Sequence, residues 1–173
     1  MKPPETTQVF RTAGGTGVTI RPIRPEDRVI EHEFVRNLSP NSRYLRFLAT
    51  IRELSPGDLD RFTSPDYPRE LALIATIDDD GSEREIGVAR YAETGPGDAA
   101  EFAIVVADEW QGQGIGRELL RLLFDEAKKA GYGQIEGVVL KENSGMLQLC
   151  RELGFMVNPY PDDPGLVRVS RYA

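Results

Sequence analysis

The chain has 173 residues, 40% of them apolar and 28% charged, enough for one domain with a sizeable core and too few for two. Its net charge of −7 argues against nucleic-acid partners, which need clustered Lys and Arg, and leaves cationic partners such as amines electrostatically acceptable. A single cysteine, Cys150, excludes an internal disulfide and fits a reducing, cytoplasmic compartment; no apolar run approaches the ~20 residues of a membrane span, and no signal-peptide pattern opens the chain.

Residues 1–17, with Pro3, Pro4 and the Gly14-Gly15-Thr16-Gly17 cluster, read as a flexible N-terminal arm ahead of a domain over 18–173. Val18 to Ile23 alternates apolar and polar and predicts a first strand. Pro25, with Glu26 and Asp27 behind it, opens a helix to about Asn37. Ser39-Pro40 caps a second helical piece that carries Tyr44, Leu45, Phe47 and Leu48 beside Arg43 and Arg46. Ser55-Pro56 repeats that signal toward Phe62. Arg43, Arg46 and Arg69 read as solvated or salt-bridged surface, with substrate contact as the alternative, and His32 as structural.

Leu71 to Ile77 and Glu85 to Ala92 predict two strands joined at Asp78-Asp79-Asp80-Gly81. That turn lacks the spaced ligands and distal Glu of a calcium loop, so a hairpin and no metal is expected. Another turn, Thr94-Gly95-Pro96-Gly97, leads to the stretch that organises the chain. Phe102 to Val106 is an apolar run of buried-strand length, and Gln111-Gly112-Gln113-Gly114-Ile115-Gly116 follows after a short polar turn with Trp110. Helical periodicity then sets in over Leu119, Leu120, Leu122, Leu123, Phe124 and Ala127, with Gly131 as C-cap. Strand, glycine turn and helix start form an anion-binding arrangement, because the first helical N–H groups lack partners and the helix dipole adds positive potential. The glycine spacing is not G-x-G-x-x-G and no Gly-Lys-Ser/Thr ending follows, which disfavours dinucleotide and P-loop readings. Beyond it, Ile135 to Leu140 predicts a strand, Asn143 opens a helix ending at Leu153-Gly154-Phe155, and Phe155 to Val157 and Leu166 to Tyr172 are closing strands. The order implies an α/β (α+β) fold built on a mixed sheet.

The segment Gln111, Gly114, Gly116 closely resembles the acetyl-CoA signature Q/R-x-x-G-x-G/A of the GNAT N-acetyltransferases. The strand after the helix, Asn143 and Leu153-Gly154-Phe155 match that family in the same order. The first half, through Ser39-Pro40, Ser42-Arg43-Tyr44, Arg46-Phe47, Arg61-Phe62-Thr63 and Asp66-Tyr67, looks like the acetyltransferase domain of bacterial Pat-type protein lysine acetyltransferases. The resemblance implies a single GNAT domain with a mostly antiparallel sheet splayed at its central strands and flanked by helices. It also implies acetyl-CoA as cosubstrate. Backbone groups of Ile104, Val105 and Val106 would pair with the pantetheine arm. Gln111, Gly112, Gln113, Gly114, Ile115, Gly116 and Arg117 would hold the diphosphate, and Asn143, besides capping its helix, would sit near the pantetheine.

A lysine amine, with pKa ~10.4, must lose its proton before it attacks a thioester, so a general base is useful. The Pat-like pattern Ala100-Glu101-Phe102-Ala103 assigns that role to Glu101. A backbone N–H near Val106 would polarise the carbonyl oxygen. The tyrosine that many GNAT enzymes carry seven residues after the matched asparagine is here Cys150, expected to face the core. The implied reaction is acetyl transfer to a primary amine, first a protein lysine. The alternatives are a polyamine or amino-acid-like acceptor, or an inactive acyl-CoA-binding sensor. Either a monomer or a homodimer is compatible.

Overall fold

The chain enters the sheet earlier than its composition suggests. In a computed structural model, which describes residues 2–47 and 52–173, strand β1 (Gln8–Arg11) pairs antiparallel with β2 (Gly17–Pro22), Gln8 opposite Ile20 and Arg11 opposite Gly17. This corrects the flexible arm expected over 1–17. Phe10 packs on the core, the Thr12 and Thr16 backbones close the turn at 2.9 Å, and Gly15 supplies the left-handed residue (φ 87°) that the turn requires. The glycines are the hairpin connection.

Helix α1 (Arg28–Asn37) follows a short 3-10 turn, and α2 (Pro40–Phe47) and α3 (Pro56–Thr63) come next. Leu48, expected in the second of these helices, lies outside the described residues. Ser55 caps α3 as its sequence predicts, accepting a hydrogen bond from the Asp58 backbone N–H at 3.1 Å. Strands β3 (Glu70–Asp79) and β4 (Ser82–Glu93) form the predicted hairpin. Asp80 and Gly81 both have positive φ (52° and 87°), the requirement of a two-residue turn that matches strand twist. Strand β5 (Ala99–Val106), helix α4 (Ile115–Lys129), β6 (Gln134–Leu140), α5 (Ser144–Glu152), β7 (Met156–Pro159) and β8 (Leu166–Tyr172) complete the chain.

The strand order is β1-β2-β3-β4-β5-β6-β8-β7, antiparallel throughout except between β5 and β6. Apolar side chains leave the sheet on both faces, so helices must cover both. One face packs on α4 and α5 through Leu119, Leu120, Leu123, Leu147 and the buried Cys150. There Phe102, Phe124 and Phe155 form an aromatic cluster with ring centroids 5.2 to 5.5 Å apart. The other face packs on α1 and α3 through Phe34, Val35 and Leu59 against Ala72, Ile74, Val88 and Val105.

The parallel pairing is short. Strands β5 and β6 are joined only over Ala99–Gln134, Ala100–Ile135 and Glu101–Glu136. From there β5 continues along β4 to Val106 and β6 continues along β8 to Leu140, leaving a wedge between them. Phe102 fills its apex. A Cβ on Gly137 of β6 would stand 2.9 Å from the Phe102 ring, so only glycine lets the ring lie there.

Candidate active site

Three cavities lie along β5 and share lining residues. The widest, about 650 Å³, opens at the C-terminal end of the wedge; Ile104, Val105 and Val106 form one wall, α2 a second and α5 a third. A small one of about 40 Å³ sits deeper, between Phe102–Ile104 and Gly137–Val139. Leu45, Arg46, Ile104, Asn143 and Met146 line both. The third, about 390 Å³, lies at the other end of β5 and is lined by Glu101, Phe102 and Ala103 with Arg61, Phe62, Arg90 and Tyr91. Glu101 is exposed there.

Beyond Glu101 the edge of β5 that faces β6 has no strand partner, so its main-chain donors and acceptors are available to an extended ligand. At the end of that edge the Gln111 amide donates to the Val106 carbonyl at 2.9 Å, which fastens the glycine turn to the strand. Gly112 and Gly114 adopt φ of 76° and 88° and have open space where a Cβ would be. Gly114 is the N-cap of α4, so the unpartnered N–H groups of the first helical turn and the open space meet at the groove.

Not all the expected residues share that surface. Gln111, Gly112, Gly114, Gly116, Arg117 and Asn143 line the wide groove, Gln113 does not, and the Ile115 side chain is buried in the core. Arg117 forms an ion pair with Glu152 of α5 at the rim. Asn143 caps α5, its Oδ1 accepting from the Met146 N–H at 3.3 Å, and faces both inner cavities. Cys150 is fully buried, as expected, and burial pushes its thiol up to about 11.

Residues 18–156 match the model of the acetyltransferase (GNAT) domain. The chain belongs to the GNAT acetyltransferase family. It is 41% identical over 149 residues to an acetyltransferase of Pseudomonas aeruginosa, covering 86% of this chain and 80% of that one. Its fold superposes on the GNAT domain of the S. lividans protein PAT with a TM-score of 0.89 and 28% identity, over the full length of both. A shorter match, 37% identical over 57 residues and 33% of each chain, is to an L-amino acid N-acyltransferase of Escherichia coli. The predicted single GNAT domain with a splayed sheet is what the structure shows, and the chain is an acetyl-CoA-dependent N-acyltransferase.

For a GNAT cosubstrate the residues present are a good fit. The free edge of β5, the glycines without Cβ atoms and the first turn of α4 are complementary to an extended arm ending in a diphosphate. The Trp110 indole, which lines the groove, has a buried Nε1 with no partner among the described residues.

A buried charge cluster behind these cavities escapes sequence reasoning. Glu31 of α1 and Glu85 of β4 are 1% and 3% exposed. Arg90 of β4 lies 3.7 Å from Glu31, stacks over Phe62 at 4.4 Å and donates to the Phe62 carbonyl at 3.3 Å. Burial, reinforced by the Glu31 charge, holds the Glu85 carboxyl well above the usual carboxylate range. Arg46, expected at the surface, is half-buried; burial and the neighbouring Arg90 charge push its guanidinium down to about 10. The available signal was positional: Glu31 precedes Phe34 and Val35 by three and four residues, and Arg90 follows Val88 by two, so each shares a buried face.

Proposed function

We propose that the enzyme transfers the acetyl group of acetyl-CoA to a lysine side chain of a protein, in the manner of the Pat-type acetyltransferases. The observation that carries this reading is the continuity along β5. Glu101 stands in one cavity, the free strand edge and the glycine turn border another, and Phe102 to Ile104 run between them. The pantetheine arm is assigned to the edge at Ile104–Val106 and the diphosphate to Gln111–Arg117. Glu101 takes the proton that the amine must lose, and the amine nitrogen attacks the thioester directly. Glu70, Glu93 and Glu101 give the acceptor cavity carboxylates for an incoming ammonium. The full-length likeness to the GNAT domain of a PAT protein favours a protein acceptor.

One observation favours a small amino-acid-like acceptor instead. Arg61 and Arg90 line the same cavity and are suited to a carboxylate, and a third of the chain matches an L-amino acid N-acyltransferase. The two readings separate in one assay. Labelled acetyl-CoA is offered to lysine-containing peptides, to free amino acids and to polyamines. Transfer to peptide lysines, lost in Glu101→Gln, supports the proposal, and transfer confined to free amino acids replaces it.

A further inference from the structure

When the acyl group leaves CoA, negative charge collects on sulfur. The hydroxyl that the family resemblance would offer there is replaced by Cys150, buried in the core and away from all three cavities. A different side chain is in reach. Among the described residues lining the small cavity between β5 and β6, Arg46 alone is charged. It lines the wide groove as well, so it stands where the two join, with Ile104, Asn143 and Met146. Its guanidinium lies over the Phe47 ring at 4.7 Å, and no hydrogen bond joins it to a described residue. A half-buried cation without a hydrogen-bonded anion is poised to receive one.

Building on the assignment of the pantetheine arm to the β5 edge, we propose that Arg46 is the group that stabilises the departing CoA thiolate. The new C–N bond forms as the C–S bond breaks with its electron pair on sulfur. The amine proton goes to Glu101, and the sulfur remains an anion beside Arg46 until solvent protonates it. Burial and the Arg90 charge lower the proton affinity of Arg46, and the Glu31 carboxylate offsets part of this. The charged groups bearing on it are Glu31 from α1 and Arg90 from β4; the wide groove contributes Asp108, Arg117 and Glu152.

The test compares CoA with desulfo-CoA, in which hydrogen replaces the thiol, by calorimetric titration from about pH 6 to about pH 10, well past the ~8.5 of a cysteine thiol. A nearby cation lowers the bound thiol's pKa, so CoA binding tightens as pH rises and levels off above the free thiol's own pKa. In the wild-type protein the preference for CoA over desulfo-CoA is expected to grow about tenfold across that range. Arg46→Lys keeps most of this growth, and Arg46→Gln abolishes it while binding desulfo-CoA as the wild type does. A preference that is flat with pH in the wild-type protein, or that grows equally in Arg46→Gln, overturns the proposal. So does an Arg46→Gln variant that weakens both ligands alike, which makes Arg46 a general contact. Failure of the wild-type protein to bind either ligand removes the groove assignment itself.

Discussion

Glu101 faces Glu136 on the last rung that joins β5 to β6, and only Glu101 also lines the cavity beside Arg61, Phe62 and Tyr91. Two carboxylates therefore stand side by side where the strands part, and one of them opens into the cavity proposed for the amine. Glu101→Gln is expected to lower kcat by roughly 10²- to 10⁴-fold, the usual contribution of a general base, with acetyl-CoA affinity nearly unchanged. Glu136→Gln should stay within a few-fold of wild type. Steady-state kinetics on the two variants decide the assignment, and equal losses would remove Glu101 from the role.

Gly114 caps α4 with φ of 88°, a conformation that costs a β-branched residue of order 1–3 kcal/mol. Gly114→Val should weaken acetyl-CoA binding by roughly tenfold or more through the altered turn. Turnover at saturating cosubstrate should largely survive. Calorimetric Kd and kcat, measured on the same preparation, separate the two effects.

Gly137→Ala places a methyl group against a ring that has nowhere to go, since Phe102 is held by Phe124 and Phe155 at 5.5 and 5.4 Å. Overpacking of this kind costs ~1–3 kcal/mol. Chemical denaturation should show a lower midpoint with an unchanged slope.

The Glu85 carboxyl keeps its proton in the folded protein at pH values where the unfolded chain has lost it. The folded state then binds more protons, so this group's contribution to stability falls as pH rises above 4.5, the ordinary carboxyl value. Glu85→Gln mimics the protonated form at every pH. Its Tm should exceed wild type at neutral pH, where the wild-type folded state either holds a proton the unfolded chain has lost or buries a charge. The gap should close as pH approaches the ordinary carboxyl range. A gap independent of pH would mean that Glu85 does not titrate between the two states.

Much of this architecture is written locally. The Ser55 cap and the Asp80-Gly81 turn need only neighbours in sequence, and the structure places both where their residues indicate, while α4 starts at Ile115, ahead of the periodicity that sets in after Gly116. The wedge between β5 and β6 was legible only through the family resemblance, because nothing in Phe102 to Val106 states where a partner strand diverges. The charge cluster is long-range. Glu31 and Arg90 meet across 59 positions, and each taken alone looks like an ordinary solvated charge. Strand β1 was obscured by its own turn, whose glycines look like a loose tail until the strands on either side are paired.

That small hairpin also decides what the rest of the sheet meets. Arg121 of α4 reaches the Gln8 side chain at 3.1 Å, and Thr6 donates to Glu126, which is only 4% exposed, at 3.0 Å. A shortened chain beginning at Gly17 would present β2 as a bare rim, its outward main-chain groups between Gly17 and Ile20 released from β1 while β3 keeps the other edge. Such a rim is a template for a second sheet. The first sixteen residues, trimmed as a tail, would turn out to be the stopper that ends lateral growth, and light scattering on the shortened chain should find it self-associating.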